Sequence, residues 1–361
     1  MKLLLLLSLS FCTLCVADEY VRYVDRDVSG GLGNGRDLDN AYSSLSALEI
    51  AEETDLTEDT NNLVVYLTAS SGTEDETSVY WDEWTMSADY DVTLIGDGSY
   101  TLHNNDTDDT AFRLRDTHIT FIGINFKVTA TGSSDRYCFF SSGFPAGSWL
   151  IDSCTFEGVS SSSGSVYGIY QTDPDGTNLT VVNSIFTGFV NSTDDEHGGI
   201  CNTAGTPSIY NCTFYGNRFG TIGSFSAITN CIAGNNSNAD FGTTTNVTYC
   251  CSDDKSGSDA QGPIGGDWTN EMTSPSTGDF TLVVDGNCVG NGTDDPGSGL
   301  YDDDIEGTAR SSTWDIGAYE YVAPAAGGTT ITTGAVQRRL RSEYLLLLLP
   351  LTIPFIRRRK K

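Results

Sequence analysis

Ile119-Thr-Phe-Ile-Gly-Ile-Asn-Phe126 returns as Trp149-Leu-Ile-Asp-Ser-Cys-Thr-Phe156, then as Leu179-Thr-Val-Val-Asn-Ser-Ile-Phe186 and Ser208-Ile-Tyr-Asn-Cys-Thr-Phe214. Ala227-Ile-Thr-Asn-Cys-Ile-Ala233 and Val247-Thr-Tyr-Cys-Cys-Ser252 close the series. Aligned on their terminal motifs, these runs are spaced by 30, 30, 28, 19 and 19 residues. Self-similarity at such a step is the mark of a solenoid, here with coils of about 19 to 22 residues and loop insertions of about ten. Each run is short, rich in Val, Ile, Thr and Phe, and imperfectly alternating, as a strand buried in a stacked core would be. Gly, Ser, Asn and Asp crowd the intervals, where turns need residues tolerant of positive φ. One such run cannot bury its apolar side alone, but stacked runs share a continuous core.

Stacking places like on like. Cys154, Cys212, Cys231 and Cys250 share one position in the repeat, with Ser184 filling it once, which predicts an inward column of small residues. Neighbouring strands lie about 4.8 Å apart, within disulfide reach of Cα atoms, but parallel side-chain directions favour free thiols acting as small hydrophobes. Asn183, Asn211 and Asn230 predict an asparagine ladder at a turn. Asp91-Val-Thr-Leu-Ile-Gly96 and Leu63-Val-Val-Tyr-Leu67 extend the pattern backward. Between them and the N-terminus, Ala41 to Ala51 has apolar residues at 41, 45, 48 and 51, the spacing of a helix that would cap the open end of the solenoid. The expected class is therefore all-β: a right-handed parallel β-helix with a short N-terminal capping helix.

The two ends set the organisation. Met1-Lys2, the apolar run Leu3 to Val16 and the small residues at Cys15-Val16-Ala17 have the layout of a secretory signal peptide over 1–17. The β-helix domain is expected over 18–322, a linker over 323–343, and an apolar and basic sorting or anchor tail over 344–361. In that tail the apolar stretch Leu345 to Ile356 precedes Arg357-Arg358-Arg359-Lys360-Lys361. Its twelve residues would reach only about 18 Å as a helix, a thin span, with positive charge held on the cytoplasmic side. Of 19 bases, Lys2 lies in the leader and eight lie beyond Gln337, and of 49 acids only Glu343 lies beyond Gln337. Residues 18–337 thus carry 10 bases against 48 acids, a net charge near −38. A surface of that sign repels phosphate backbones, so no nucleic-acid partner is expected.

Tyr23-Val-Asp-Arg-Asp, Gly30-Gly31, Gly33-Asn-Gly35 and Asn40-Ala41-Tyr42-Ser-Ser-Leu45 resemble the opening segment of bacterial and phage right-handed β-helix repeat proteins. Gly278-Asp-Phe-Thr-Leu282, Asp304-Ile-Glu-Gly307, Arg310 and Trp314-Asp-Ile-Gly-Ala-Tyr-Glu320 resemble the closing segment of surface-anchored members of that group. The resemblance spans roughly residues 20 to 321 and departs from the group at Leu38-Asp39, where an aromatic is expected. The wider pectin-lyase-like superfamily includes pectate lyases, polygalacturonases and phage tailspikes, so the resemblance implies the fold and leaves function to the site. The expectation is an exported, cell-surface or envelope-held β-helix, non-catalytic, that presents loops for adhesion or binding of a polysaccharide or other surface glycan. A polysaccharide lyase or glycoside hydrolase is the alternative, and a viral fibre-like protein a third.

If there is catalysis, Asp194, Asp195 and His197 in Asp194-Asp-Glu-His-Gly-Gly199 are its sharpest candidates, because inverting hydrolysis needs carboxylates spaced around a water. A lyase would need Ca²⁺, for which Asp173 and Asp175 are candidate ligands, and a base such as Arg218. A solvated acidic loop is the simpler reading of the first set, and a solvated turn that of Asp294-Asp295 and Asp302-Asp303-Asp304. No cofactor beyond Ca²⁺ is suggested. The eight thiols after the leader include no CxxC pair and no His/Cys cluster, so linear spacing gives a zinc site no support.

Overall fold

The computed structural model describes residues 18–29, 31–59, 61–69, 75–76, 78–105, 109–115, 118–141, 147–160, 164–172, 178–190, 197–242, 245–255, 257–297 and 302–323. The leader, the linker beyond 323 and the tail lie outside them. Among the described residues the chain winds through three parallel sheets of nine, eight and seven strands, with a small antiparallel pair, Met272–Ser274 and Asp279–Leu282, near its end. Each complete coil passes from sheet 1 (nine strands) to sheet 2 (eight) to sheet 3 (seven), as in Ile119–Ile122, Asn125–Ala130 and Arg136–Ser141. This is a right-handed parallel β-helix.

The repeat read from sequence is the register of sheet 1. Ile119 pairs with Trp149, Trp149 with Leu179, Thr180 with Ser208, Ser208 with Ala227 and Ile228 with Val247. The same sheet continues back through Val92 to Leu63. Every repeat Phe points inward from sheet 2. Phe126, Phe156, Phe186 and Phe214 are buried and stack face to face at centroid spacings of 4.7, 4.5 and 4.9 Å. The residue after each Phe, in turn, points outward: Lys127, Glu157, Thr187 and Tyr215 form one row.

Between sheets 1 and 2 the chain turns through one left-handed residue per coil. Gly123, Ser153, Asn183, Asn211, Asn230 and Tyr249 all have φ between 48° and 68°. Asn tolerates that conformation better than other side chains, which explains its recurrence. The amides, however, make no ladder of their own. Asn183 donates to Asp152 and accepts from Arg310, Asn230 exchanges two hydrogen bonds with the backbone of Thr293, and the buried Asn211 amide finds no partner among the described residues. One residue further on, Cys154, Ser184, Cys212, Cys231 and Cys250 form the expected inward column, and the eight described cysteines are buried thiols outside any disulfide. The column also does polar work. The Ile124 N–H donates to Cys154 Sγ, the Cys154 N–H to Ser184 Oγ and the Cys231 N–H to Cys250 Sγ, each one coil along. A thiol or hydroxyl there satisfies a buried amide that an alkyl group would leave orphaned.

The helix runs Leu45–Glu52, capped by the Ser44 side chain, so it starts four residues later than the apolar spacing suggests. Leu45 and Leu48 enter the main core and the helix packs against Val79–Trp81, the outermost strand of sheet 3. The Glu76 carboxylate accepts from the Leu45 and Ser46 N–H groups at the helix start, an anion at the positive end of the helix. The helix thereby covers the open end of the solenoid. At the other end, the described residues of 264–321 fold over the last coils, where Trp268, Met272, Phe280, Leu282, Cys288, Ile305 and Ile316 form a second core with Ile232 and Cys251. No helix of the described residues is long and apolar enough to cross a membrane.

Candidate functional site

Four of the candidate residues, Asp173, Asp175, Asp194 and Asp195, lie outside the described residues. The other two sit on neighbouring coils. Gly198 pairs with Phe219, which puts His197 and Arg218 side by side at the start of sheet 3. The His197 ring does not face solvent: it is fully buried, and its Nδ1 accepts the Val166 N–H at 2.9 Å. That nitrogen therefore carries no proton, and the ring serves to satisfy the first amide of strand Val166–Gln171. The structure thus places His197, one of the candidate catalytic residues, inside the hydrogen bonding of sheet 3. Arg218 is half-buried; its N–H donates to Phe189 O and its C=O accepts from Asn238. The described flanks of the two aspartate segments also diverge. Thr172 leaves sheet 3 at the C-terminal end of its six-residue strand, whereas His197 precedes the N-terminal end of the next, some 20 Å away.

Asp304 departs from the solvated turn expected of it. It is 2% exposed and its carboxylate accepts the N–H groups of Glu306, Thr308 and Glu320, so it organises the C-terminal segment rather than a solvated turn. Asp315 accepts from Gly290 and Tyr321, and Glu320 from Ser311 and Asp315. The closing motif therefore spends its acids as caps for buried amides.

Two outer faces are built from side chains that the repeat aligns. On sheet 3, Tyr80, Arg113, Phe140 and Tyr170 form one row. The Arg113 guanidinium lies over the rings of Tyr80 and Phe140 at 5.4 and 5.0 Å. Phe140 stacks on Tyr170, and Tyr137 on Tyr167 beside them, so the ring faces are mutually consumed and the patch presents edges and hydroxyls.

On sheet 2 there is a groove of about 260 Å³. Thr101, Asn125 and Thr155 form its short row, His103, Lys127 and Glu157 its long one, with Phe126 below. Lys127 Nζ meets Glu157 Oε2 at 3.0 Å, His103 Nε2 meets Thr129 Oγ1 at 2.9 Å, and Thr155 donates to Asn125 Oδ1 at 2.7 Å. The contrast of short and long rows makes the recess. Its walls offer hydroxyl, amide and charged groups of both signs, the inventory suited to a polyhydroxylated ligand. Lys127 and Lys255 are the two lysines between the leader and the tail, so a lysine in the groove is notable against so acidic a surface. Sequence reasoning missed this site, although the outward position after each repeat Phe identifies Lys127 and Glu157 as neighbours.

The fold also gathers Cys251, Glu271 and Cys288, whose ligand atoms lie within 4.8 Å of one another and which are all buried. Separations of 20 and 17 residues put this cluster beyond the reach of a spacing-based search.

No family model matches the chain, and no curated protein does. Among solved structures it is similar to pectate lyase Pel9A, with 12% identity and a TM-score of 0.36, over 84% of this chain and 96% of that one.

Proposed function

We propose that this chain is an exported β-helix, held at a cell surface through residues 344–361, that binds a glycan without turning it over, and that the sheet 2 groove is where it binds. The observation that carries the reading is the groove itself: aligned Thr101, Asn125, Thr155, His103, Lys127 and Glu157 around a 260 Å³ recess on a face otherwise made of rungs. The Lys127–Glu157 pair leaves the groove near neutrality, which suits the hydroxyls of an uncharged sugar better than a uronate. Among the described residues one carboxylate lines it, whereas hydrolysis needs two and a calcium-dependent lyase more than one. The burial of His197 further favours binding over catalysis.

A glycan array and a polysaccharide-depolymerisation screen on the full-length chain, with and without Ca²⁺, test this. The reading expects binding that Thr155→Trp abolishes and Glu157→Gln weakens, with the melting temperature unchanged, since both positions face outward. Release of reducing or unsaturated ends that is lost on Lys127→Ala would replace it with an enzyme. Binding that survives Thr155→Trp would move the site off sheet 2.

A further inference from the structure

We infer that Cys251, Glu271 and Cys288 form a structural site for one thiophilic divalent cation of the Zn²⁺ class, which ties the C-terminal segment to the last coil. Cys251 lies on Cys251–Ser252, the last strand of sheet 2, and pairs with Ile232. Its side chain therefore points out of the solenoid into the second core, where Glu271 and Cys288 meet it from the overlying segment. None of the three is exposed at all.

The carboxylate argues for a cation. Glu271 Oε1 accepts the Ile264 N–H and Oε2 the Cys288 N–H, both at 2.9 Å, and no described Lys, Arg or His forms an ion pair with it. A carboxylate sealed in an apolar cluster, held by two amide bonds and met by no described cationic side chain, is a place where a bound cation would supply the counter-charge. Two sulfurs within reach of it supply what a borderline-soft cation needs, and sulfur with carboxylate oxygen is a donor set Zn²⁺ accepts. The two amides that already hold the carboxylate orient it as outer-shell partners do in metal centres. Gly286 is fitted to this arrangement, because a Cβ there would stand 2.7 Å from Glu271 Oε2. Uptake replaces two S–H protons by one M²⁺, the protons passing to solvent, and no oxidant or reductant is involved.

The test uses full-length protein purified under reducing conditions and probed with Zn²⁺ and Co²⁺ alone. One equivalent of zinc should remain after dialysis, the melting temperature should rise with Zn²⁺, and Co²⁺ should give thiolate-to-metal charge-transfer absorption. Cys288→Ser and Glu271→Gln should lose the absorption, and Cys138→Ser, a buried thiol elsewhere in the core, should keep it. Wild-type protein that binds neither ion overturns the site without reference to any variant. So does a wild-type mass 2 Da below the all-thiol value with Cys251 and Cys288 recovered as a linked peptide, which would make the pair a disulfide.

Discussion

Six residues share the left-handed turn between sheets 1 and 2, and five of them carry a side chain. Holding such a residue there costs about 1–2 kcal/mol unless its side chain offsets it locally. Asn183 and Asn230 do so through the C-terminal segment, whereas Asn211 buries its amide without a partner. Asn211→Gly is therefore expected to be neutral or to stabilise by about 0.5–1 kcal/mol, because it relieves both costs. Asn211→Val should destabilise, and chemical denaturation separates the two. Arg310 is the opposite case. Its guanidinium is sealed against Glu320 at 3.6 Å, donates to Asn183 Oδ1 at 2.9 Å and to Gly317 O at 3.2 Å, and lies over Trp314. Arg310→Met would strand the Glu320 charge and should cost about 3–5 kcal/mol in the same experiment.

For single elements, the strands of sheet 1 were the legible ones. Their apolar residues recur at the coil step, and every spacing read from the sequence is a pairing register. Sheet 3 repeats as faithfully, in Tyr137-Cys-Phe-Phe-Ser141, Tyr167-Gly-Ile-Tyr-Gln171, Gly198-Gly-Ile-Cys-Asn202 and Phe219-Gly-Thr-Ile-Gly223, yet it does not stand out in the sequence. The reason is steric. At Gly168, Gly199 and Gly220 a Cβ would lie 2.4, 2.8 and 2.2 Å from a carbonyl oxygen of the next coil, so small residues interrupt the alternation that marks a strand. The groove and the buried Cys-Glu-Cys cluster escaped for a related reason: both join residues from different coils or from the overlying segment, and linear spacing does not carry that adjacency. The phenylalanine stack of sheet 2 was visible as a motif ending, but not as a continuous face-to-face column. Phe186 lies inside that column, with a ring on either side at 4.5 and 4.9 Å. Phe186→Ala should lose about 3–5 kcal/mol, since flanking coils fixed by backbone pairing cannot collapse into the gap.

The whole molecule couples a strongly negative surface to buried carboxyls. Burial pushes Asp240 up to about 7, with Asp253 and Asp254 adding to the effect, and burial likewise pushes Glu49 to about 7. Both groups prefer to be protonated in the folded state. Their contribution to stability is complete below about pH 4, the range of an unfolded carboxyl, and disappears as the pH rises through about 7. Melting temperature should therefore fall between pH 5 and pH 8, and Asp240→Asn should flatten part of that fall. Added salt should raise the melting temperature most at the alkaline end, where self-repulsion among the acids is greatest.

The segment that crosses the turn column has one more consequence. It touches successive coils in sequence: Arg310 reaches Asn183, the Ala318 N–H reaches Thr213 Oγ1, and the Gly317 N–H reaches Asn230 O. Repeat proteins ordinarily gain or lose units freely, because each unit sees only its neighbours. Here a chain that lost the 19-residue unit between Ser208 and Ala227 would leave those three contacts out of step by one strand spacing, about 4.8 Å. The closing motif thus acts as a gauge of length, tying the number of turns in this part of the molecule to a fixed count that insertion or deletion cannot alter without unseating the end.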